Sequence, residues 1–396
     1  MKKTLVALAA ATAMCSASAA SVTLYGVVDT GFAYNSIDWD EAGSETENSF
    51  EMASGQRSGS RFGMKGVEEL GNGLTVGFVL ESGISTDTGA MSSDGLFNRE
   101  SSLFIEGSFG KFGMGRLSTL ANDSGSTGIG GYFSSFGTGW GDVGCQSYMQ
   151  AYRPTRMDNM VYYKTPNFAG AEVWLLYGMG DEETGTVENE SSRDRYYAAA
   201  VTYNNGGLSL YGAVDVLNKA TFGVKDGFQD SEDDQITITA AVNYDCGFAK
   251  SYLGVHWFDN ARGVGGSSVD GDWTYMANIE SDKDGNNGVS GYGDASGWSV
   301  MAGVDIPVGN GMIKTSVGYL DASSDNAEDA KTAETEYDLS RFMVAAGYEY
   351  YLSKRTTLYV GAGYIQDSID GYNKEAKKAS EDPSWLQVNC GLTHKF

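Results

Sequence analysis

The chain has 396 residues, of which 41% are hydrophobic and 20% are charged, and its formal net charge is -25 at pH 7. A nucleic-acid partner is excluded because a surface that neutralises phosphates must be basic. Beyond the first twenty residues no run of about 18 apolar residues occurs, which excludes an ordinary membrane-spanning helix. A membrane β-barrel is compatible with this composition, since only alternate residues of its strands have to be apolar.

The first twenty residues have the pattern of an export signal. Two lysines precede the apolar run "LVALAAATAM", and "SASAA" offers small residues for cleavage after Ala19 or Ala20. We therefore predict a secretory signal peptide over residues 1–20. The mature chain, residues 21–396, is predicted to be a single exported domain.

Three cysteines remain in the mature chain: Cys145, Cys246 and Cys390. An odd number cannot form a complete disulfide framework, and no CxxC pair suggests a metal site. We predict three free thiols, no metal and no cofactor.

Apolar and polar residues alternate through most of the mature chain, with the period of two that is typical of strands with one apolar face. In "DQITITAAVNYD", for example, Ile236, Ile238 and Val242 lie on one side, and Thr237 and Thr239 on the other. Such windows predict sixteen strands, at residues 21–35, 57–69, 73–85, 97–108, 111–117, 157–164, 170–179, 194–205, 207–217, 235–245, 248–258, 296–306, 312–322, 339–351, 356–367 and 385–396.

The connections between these strands alternate in length. Short ones such as "GNG", "TPN" and "DCG" contain the Asn and Gly residues that tight hairpins require. Long, acidic ones such as "DWDEAGSETENSFE" and "GDEETGTVENESS" follow every second strand. Short turns at one end and long loops at the other are typical of up-and-down barrels in outer membranes.

A sheet that spans a membrane must close, because hydrocarbon offers no hydrogen-bond partners to an open edge. Sixteen strands leave a water-filled lumen, whereas about eight would be filled by side chains. A polar interior explains the negative mean hydropathy of -0.29. Closure predicts that the last strand, 385–396, pairs with the first strand, 21–35.

Several stretches resemble the trimeric general porins of Gram-negative outer membranes. They are "SVTLYGVVDTGFAY", "GSRFGMKGVEELGNGLTVGFVLESG", "GKFGMGR", "YYKTPNFAG", "LSKRTTLYVGAGY" and the terminal "GLTHKF". The resemblance implies an outer-membrane homotrimer, in contact with lipid and lipopolysaccharide, through which ions and small hydrophilic solutes diffuse. It also implies that Phe396 is read by the barrel-assembly machinery as an insertion signal.

In this family the third extracellular loop folds into the lumen and narrows it. The corresponding segment here is residues 117–155, which is rich in Gly and Ser, is nearly uncharged, and carries Asp123 and Asp142. The alternative is a surface loop like its neighbours. The low charge of the segment beside their acidity favours a constriction loop.

Opposite that loop the family carries basic side chains on the barrel wall, and Arg61 and Arg156 fall on those positions. Strand parity predicts that these two, together with Lys65 and Lys164, face the lumen. Arg99 also matches a basic position of the family, although the apolar residues of its window share its face.

The resemblance would place a further basic residue where this chain has Glu100, and this departure weakens the expected preference for anions. Guanidinium groups facing loop carboxylates would set a transverse field that favours small hydrophilic solutes. The alternative for each arginine is that it is a solvated charge of the polar lumen wall, without a role in the constriction. Residues 36–56 hold six acids and no Lys or Arg, which would concentrate cations at the mouth. We expect weak selectivity of either sign.

Other motifs in the sequence lack residues that a metal site or a catalytic site requires. "DKDGNNGVSGYGD", at 282–294, has Asn287 and Gly293 where an EF-hand requires Gly and Glu. The two histidines, His256 and His394, show no nucleophile-base arrangement, so we expect no enzyme. The alternatives to a diffusion porin are a substrate-specific channel with a saturable site and a surface adhesin or structural barrel.

Overall fold

The computed structural model describes residues 21–39, 46–180, 194–219, 234–261, 263–265, 295–324, 335–373 and 378–396. The predicted signal peptide, the segment resembling a calcium loop and most of the long acidic connections lie outside these ranges. Within them, no helix is long and apolar enough to cross a membrane.

The regular structure consists of eighteen antiparallel strand segments and two single-turn 3-10 helices, Gly130–Tyr132 and Ser147–Met149. In chain order the segments are β1 (Ser21–Asp38), β2 (Glu47–Ser54), β3 (Arg61–Gly71), β4 (Leu74–Gly83), β5 (Glu100–Gly107), β6 (Gly110–Ser118), β7 (Arg156–Lys164), β8 (Ala171–Gly178), β9 (Arg195–Asn205), β10 (Leu208–Asn218), β11 (Gln235–Asp245), β12 (Lys250–Ala261), β13 (Ala295–Val308), β14 (Gly311–Ser324), β15 (Thr335–Tyr351), β16 (Thr356–Asn373), β17 (Lys378–Glu381) and β18 (Ser384–Lys395).

Two of the barrel strands are interrupted. β2 and β3 pair with the same edge of β1, and β17 and β18 pair with the same edge of β16. Each of these two pairs of segments is therefore one strand of the barrel, so that the eighteen segments make sixteen strands. The predicted number of strands and their positions along the chain are confirmed. Two assignments near the first long connection were wrong: residues 57–60, predicted to begin the second strand, belong to its interruption, and Glu47–Ser54, predicted to belong to the connection, forms β2.

The sheet closes on itself through the predicted seam. β1 pairs with β18 from Val27 opposite Lys395 to Asp38 opposite Ser384. Beyond the ladder, the Phe396 N–H donates to the Gly26 carbonyl at 3.1 Å, and the Gly26 N–H donates to the Phe396 carbonyl at 3.2 Å. The Phe396 ring covers Gly26 so closely that a Cβ would not fit there. The closed sheet thus leaves no open edge along these two strands.

The two faces of each strand differ as the alternation predicts. On β15, Phe342 and Val344 are 45% and 43% exposed on the outside, whereas Arg341, Met343 and Ala345 are buried on the inside. Exposed apolar side chains recur at alternate positions on the other strands. An apolar exterior of this kind is the surface that hydrocarbon covers in a membrane barrel.

The short connections all lie at one end of the barrel, as the antiparallel order of the strands requires. One example is the turn between β3 and β4, where Asn72 has φ 54° and Gly73 has φ 75°. Two consecutive positive φ values are the signature of a type I′ hairpin turn, for which Asn-Gly is the favoured pair. The turn residues read from the sequence therefore form the hairpins that were expected of them.

The largest apolar core lies between the inner face of the barrel and the long connection from β6 to β7. Phe133, Trp140, Tyr148 and Met149 of that connection are buried against strand side chains that include Met343. A second cluster joins residues of the same connection to β8, β9 and β10. A β-sheet of this size encloses no apolar core by itself when its inner face is polar, so the connection supplies one.

Candidate pore constriction

Residues 119–155, which connect β6 to β7, are fixed to the inner face of the barrel by buried ion pairs. Arg341 on β15 donates to the Tyr148 carbonyl at 2.9 Å and forms a two-pronged pair with Asp367 at 2.7 and 2.6 Å. Arg153 of the segment pairs with Asp215 on β10, at 2.9 and 2.7 Å. Bidentate charge-assisted hydrogen bonds of this kind fix geometry as well as adding energy.

Further wall side chains hold the backbone of the segment. Lys314 on β14 donates to the Ser135 carbonyl at 2.7 Å, and Asn389 on β18 donates to the Trp140 carbonyl at 3.0 Å. His256 on β12 accepts from the Ala151 N–H at 3.2 Å. Together with the ion pairs, these contacts spread around the wall from β10 to β18.

A cavity of about 580 Å³ lies between this segment and the barrel wall. Among the charged side chains of its lining, the basic ones are in the majority. The basic ones are Arg57, Arg61, Arg99, Arg153, Arg156, Lys314 and Lys395, and the acidic ones are Asp123, Asp142 and Glu349.

The cavity brings together five of the seven charged residues singled out in the sequence: Arg61, Arg99, Arg156, Asp123 and Asp142. Lys65 and Lys164 are not part of its lining. They project from the same inner face but lie closer to the short turns. Lys164 is the last residue of β7 before its short turn, and Lys65 follows Arg61 by four residues in the direction of the short turn after β3. Parity specifies the face of a side chain, not its height in the barrel.

Two guanidinium groups of the cavity share the buried Glu81 carboxylate, and a third, that of Arg156, lies beside them. Arg99 Nε lies 2.7 Å from Glu81 Oε1, and Arg61 Nε lies 3.5 Å from Glu81 Oε2. Arg156 and Arg99 both donate to the Ser124 hydroxyl, at 3.1 and 3.2 Å. Within the described residues Arg156 has no acidic partner in an ion pair. The wall here therefore carries an excess of positive charge.

Glu100, which replaces a basic residue of the family pattern, points away from solvent. Its carboxylate accepts from the Ser126 N–H at 2.9 Å and also from the hydroxyls of Ser126 and Ser102. The side chain thereby holds the start of the 119–155 segment next to Arg99. Its negative charge still offsets part of the arginine field.

The structure explains why parity misplaced Arg99 and why it could not by itself establish the position of Arg156. Arg99 precedes β5, and its N–H donates to the Glu81 carbonyl at 3.2 Å, so the alternation of that strand does not apply to it. On β7 a bulge at Asn159, with φ 53°, inserts a residue between Arg156 and the regular part of the strand. A bulge shifts the faces of the residues on one side of it.

Sequence reasoning missed Arg57 and Glu349, which form an ion pair across the cavity. Arg57 Nε lies 2.9 Å from Glu349 Oε1, although 292 residues separate them in the chain. The carbonyl of Arg57 also accepts from the Trp140 N–H at 3.2 Å. The interruption between β2 and β3 thus reaches inward as a second element beside the long segment. Its Gly- and Ser-rich sequence, "SGQRSGS", was the available signal.

A closed sixteen-stranded barrel with an apolar exterior and a charged interior cavity defines a membrane channel. Residues 4–370 match the family model of the Gram-negative porins, and the chain belongs to this family. It is a multi-pass β-barrel of the bacterial outer membrane and a channel for passive diffusion.

Individual relatives match the sequence of this chain over its full length. The chain is 30% identical to an outer membrane porin protein of Bordetella pertussis and 30% identical to the major outer membrane protein P.IB of Neisseria meningitidis, with all of both chains covered in each case. Among solved structures, the anion-selective porin from Comamonas acidovorans is similar with a TM-score of 0.64 and 26% identity. That match covers 95% of this chain and 100% of the other.

Proposed function

We propose that residues 119–155 form the constriction of the pore and that Arg61, Arg99 and Arg156 give it a preference for anions. The main support for this proposal is the excess of positive charge on this part of the wall. Arg61 and Arg99 share the Glu81 carboxylate, and Arg156 has no ion-pair partner among the described residues. Rings of charge at a narrow point select ions because a permeating ion passes within a few ångströms of them. The similar solved porin whose name describes it as anion-selective supports the same sign.

The carboxylates of the segment complete the arrangement. Asp123 accepts from the Thr138 N–H at 2.9 Å, and Asp142 accepts from Gln387 at 3.3 Å. Both line the cavity, so solutes pass between these acids and the wall arginines. A transverse field across a narrow passage orients dipolar solutes and disfavours apolar ones, which must give up ordered water. Small hydrophilic molecules are therefore the expected solutes.

The surroundings of the barrel belong to the same proposal. The exported chain loses residues 1–20, inserts through the barrel-assembly machinery with Phe396 as its signal, and assembles as a homotrimer in lipid and lipopolysaccharide. The position of Phe396 at the seam, where its ring covers Gly26, supports a role of this residue in closure. The comparisons favour neither a substrate-specific channel nor an adhesin.

Reversal potentials of the purified protein in planar bilayers, under a KCl gradient, test the proposed selectivity. The wild type should favour chloride, and Arg156→Gln should lower the chloride-to-potassium permeability ratio about fivefold, as expected for removal of one charge about 4 Å from the ion path in water. The matched control is Arg355→Gln, since Arg355 is exposed in a short turn. A ratio that stays the same in Arg156→Gln would contradict the proposal.

A further inference from the structure

The backbone of Trp140, within residues 119–155, has a conformation that residues other than glycine rarely adopt. Its φ is 75°, in the left-handed region, where a side chain crowds the backbone. Such a conformation is unfavourable and persists only where neighbouring groups hold it. Trp140 also lines the cavity of the constriction. The contacts that hold this residue are therefore candidates for a role in the pore.

Two neighbours outside the segment hold the backbone of Trp140. Its N–H donates to the Arg57 carbonyl at 3.2 Å, and its carbonyl accepts from the Asn389 side chain at 3.0 Å. Arg57 lies in the interruption between β2 and β3 and is itself joined to Glu349 on β15 by the 2.9 Å ion pair. The peptide groups on both sides of Trp140 are therefore fixed to the barrel wall.

The indole ring of Trp140 fills a recess in the wall that two glycines create. Gly347 on β15 lies directly opposite Gly361 on β16, and we call this pair the glycine recess. A Cβ at Gly347 would lie 3.0 Å from the ring, and a Cβ at Gly361 would lie 2.9 Å from it. The ring is 3% exposed and packs edge-on against Phe136 and Tyr359, with centroids 5.4 and 5.5 Å away.

The glycine recess accommodates side chains of the segment. The three atoms nearest to a Cβ at Gly361 belong to Trp140 and Val143. Those nearest to a Cβ at Gly347 belong to Trp140 and Phe136. Neither glycine has a positive φ, so alanine is compatible with the backbone at both positions. A methyl group in the recess would therefore meet the segment first.

We propose that Trp140, docked in the glycine recess, is a positioning residue that sets the distance between residues 119–155 and the arginine wall, and thereby the conductance of the pore. Asp142 lines the cavity only two residues further along the chain. A displacement of the ring therefore moves a cavity carboxylate with it. The inference rests on the proposed function, because it requires that the segment border the ion path.

Single-channel conductance in KCl, measured in planar bilayers, tests this proposal with a methyl group placed in the recess. Gly361→Ala should push the ring towards the lumen and lower the conductance by about a tenth, because the narrowest point of a pore limits its conductance. Gly347→Ala should have the same effect from the facing strand. The double variant Trp140→Phe, Gly361→Ala should recover the wild-type conductance, because the smaller ring leaves room for the methyl group.

The matched control is Gly212→Ala on β10, where a Cβ meets nothing within 4 Å. Gly212 shares the outer face with the exposed Leu210 and Val214, so this variant should conduct like the wild type. The shift between folded and unfolded bands on gels after heating verifies that each variant forms a barrel. Unchanged conductance in both recess variants, or a loss that Trp140→Phe does not reverse, would overturn the proposal.

A further variant separates this proposal from that of the constriction. Thr138 is an exposed residue of the segment that lines the cavity, so Thr138→Trp should lower the conductance if the segment borders the ion path, whatever holds Trp140. A loss in Thr138→Trp together with unchanged conductance in both recess variants refutes the role of the recess alone. Unchanged conductance in all three variants refutes the constriction itself.

Discussion

Cys145 lies within the apolar core that residues 119–155 form with the wall, and its thiol donates to the Asp142 carbonyl at 3.0 Å. Burial raises the pKa of the Cys145 thiol far above its usual range, and the neighbouring Asp142 carboxylate raises that pKa further. The thiolate is the reactive form of cysteine, and a raised pKa lowers its population at every pH below that value. Cys246, by contrast, is exposed in a short turn.

Labelling with a water-soluble maleimide should therefore distinguish the two thiols. A variant that keeps only Cys145 should stay unlabelled in the native state at pH 8 and react fully after boiling in detergent. A variant that keeps only Cys246 should react in the native state within minutes. Mass spectrometry of the intact chain gives the labelled fraction. Rapid native labelling of Cys145 would show that the 119–155 segment leaves the wall.

At the scale of the structural element, the 119–155 segment depends on charges that are buried with it. Arg341 and Asp367 are 1% and 0% exposed, and Arg341 also holds the Tyr148 carbonyl. A buried ion pair is costly to break by removing one member, because the other charge is left uncompensated, at about 3–5 kcal/mol. Replacement of both members by apolar residues avoids that penalty, because no unpaired charge is left in the interior.

We therefore expect Arg341→Met to lower the temperature at which the barrel unfolds in detergent and to increase the current noise of single channels. The double variant Arg341→Met, Asp367→Leu should recover most of the lost thermal stability but not the quiet current, since the contact to Tyr148 stays absent. Unfolding is measured by the shift between folded and unfolded bands on gels after heating. If Arg341→Met has the unfolding temperature and the current noise of the wild type, other contacts suffice to anchor the segment.

At the scale of the whole molecule, two opposite fields act on a permeating ion. The chain carries a net charge of -25, and acids are concentrated towards the long-loop end, such as the six within residues 36–56, which include the end of β1 and part of β2. The charged residues of the cavity lining, by contrast, are mostly basic. Salt screens the charges of a wide, solvated mouth over a Debye length of about 30 Å at 0.01 M and about 3 Å at 1 M. Charges within a few ångströms of the ion path are screened least.

Selectivity should consequently depend on ionic strength. With a fixed tenfold KCl gradient, the permeability ratio should move towards chloride as the mean concentration rises from about 0.01 M to about 1 M. Glu47→Gln with Glu51→Gln, at two exposed acids of β2, should reduce this dependence and leave the high-salt ratio unchanged. A ratio independent of salt would show that the acidic connections do not act on the ion path.

The strands, their number and their faces were predictable because each depends on neighbouring residues. Alternation along a window such as 339–351 assigns Phe342 to the outside and Arg341 to the inside without reference to the rest of the chain. Hairpin turns such as Asn72-Gly73 are equally local. The closing seam followed from a general constraint, since a sheet in hydrocarbon cannot keep an open edge.

Only the tertiary structure decided which of the inward-facing charged side chains contact one another. Arg57 and Glu349 are 292 residues apart, and their contact depends on a short interruption in one strand and on the curvature of the closed sheet. Lys65 and Lys164 share the face of the constriction arginines but lie at another height, where Lys164 joins Lys111 and Trp174. Local periodicity fixes the direction of a side chain, whereas the distance between two side chains follows from register and closure, which are properties of the whole barrel.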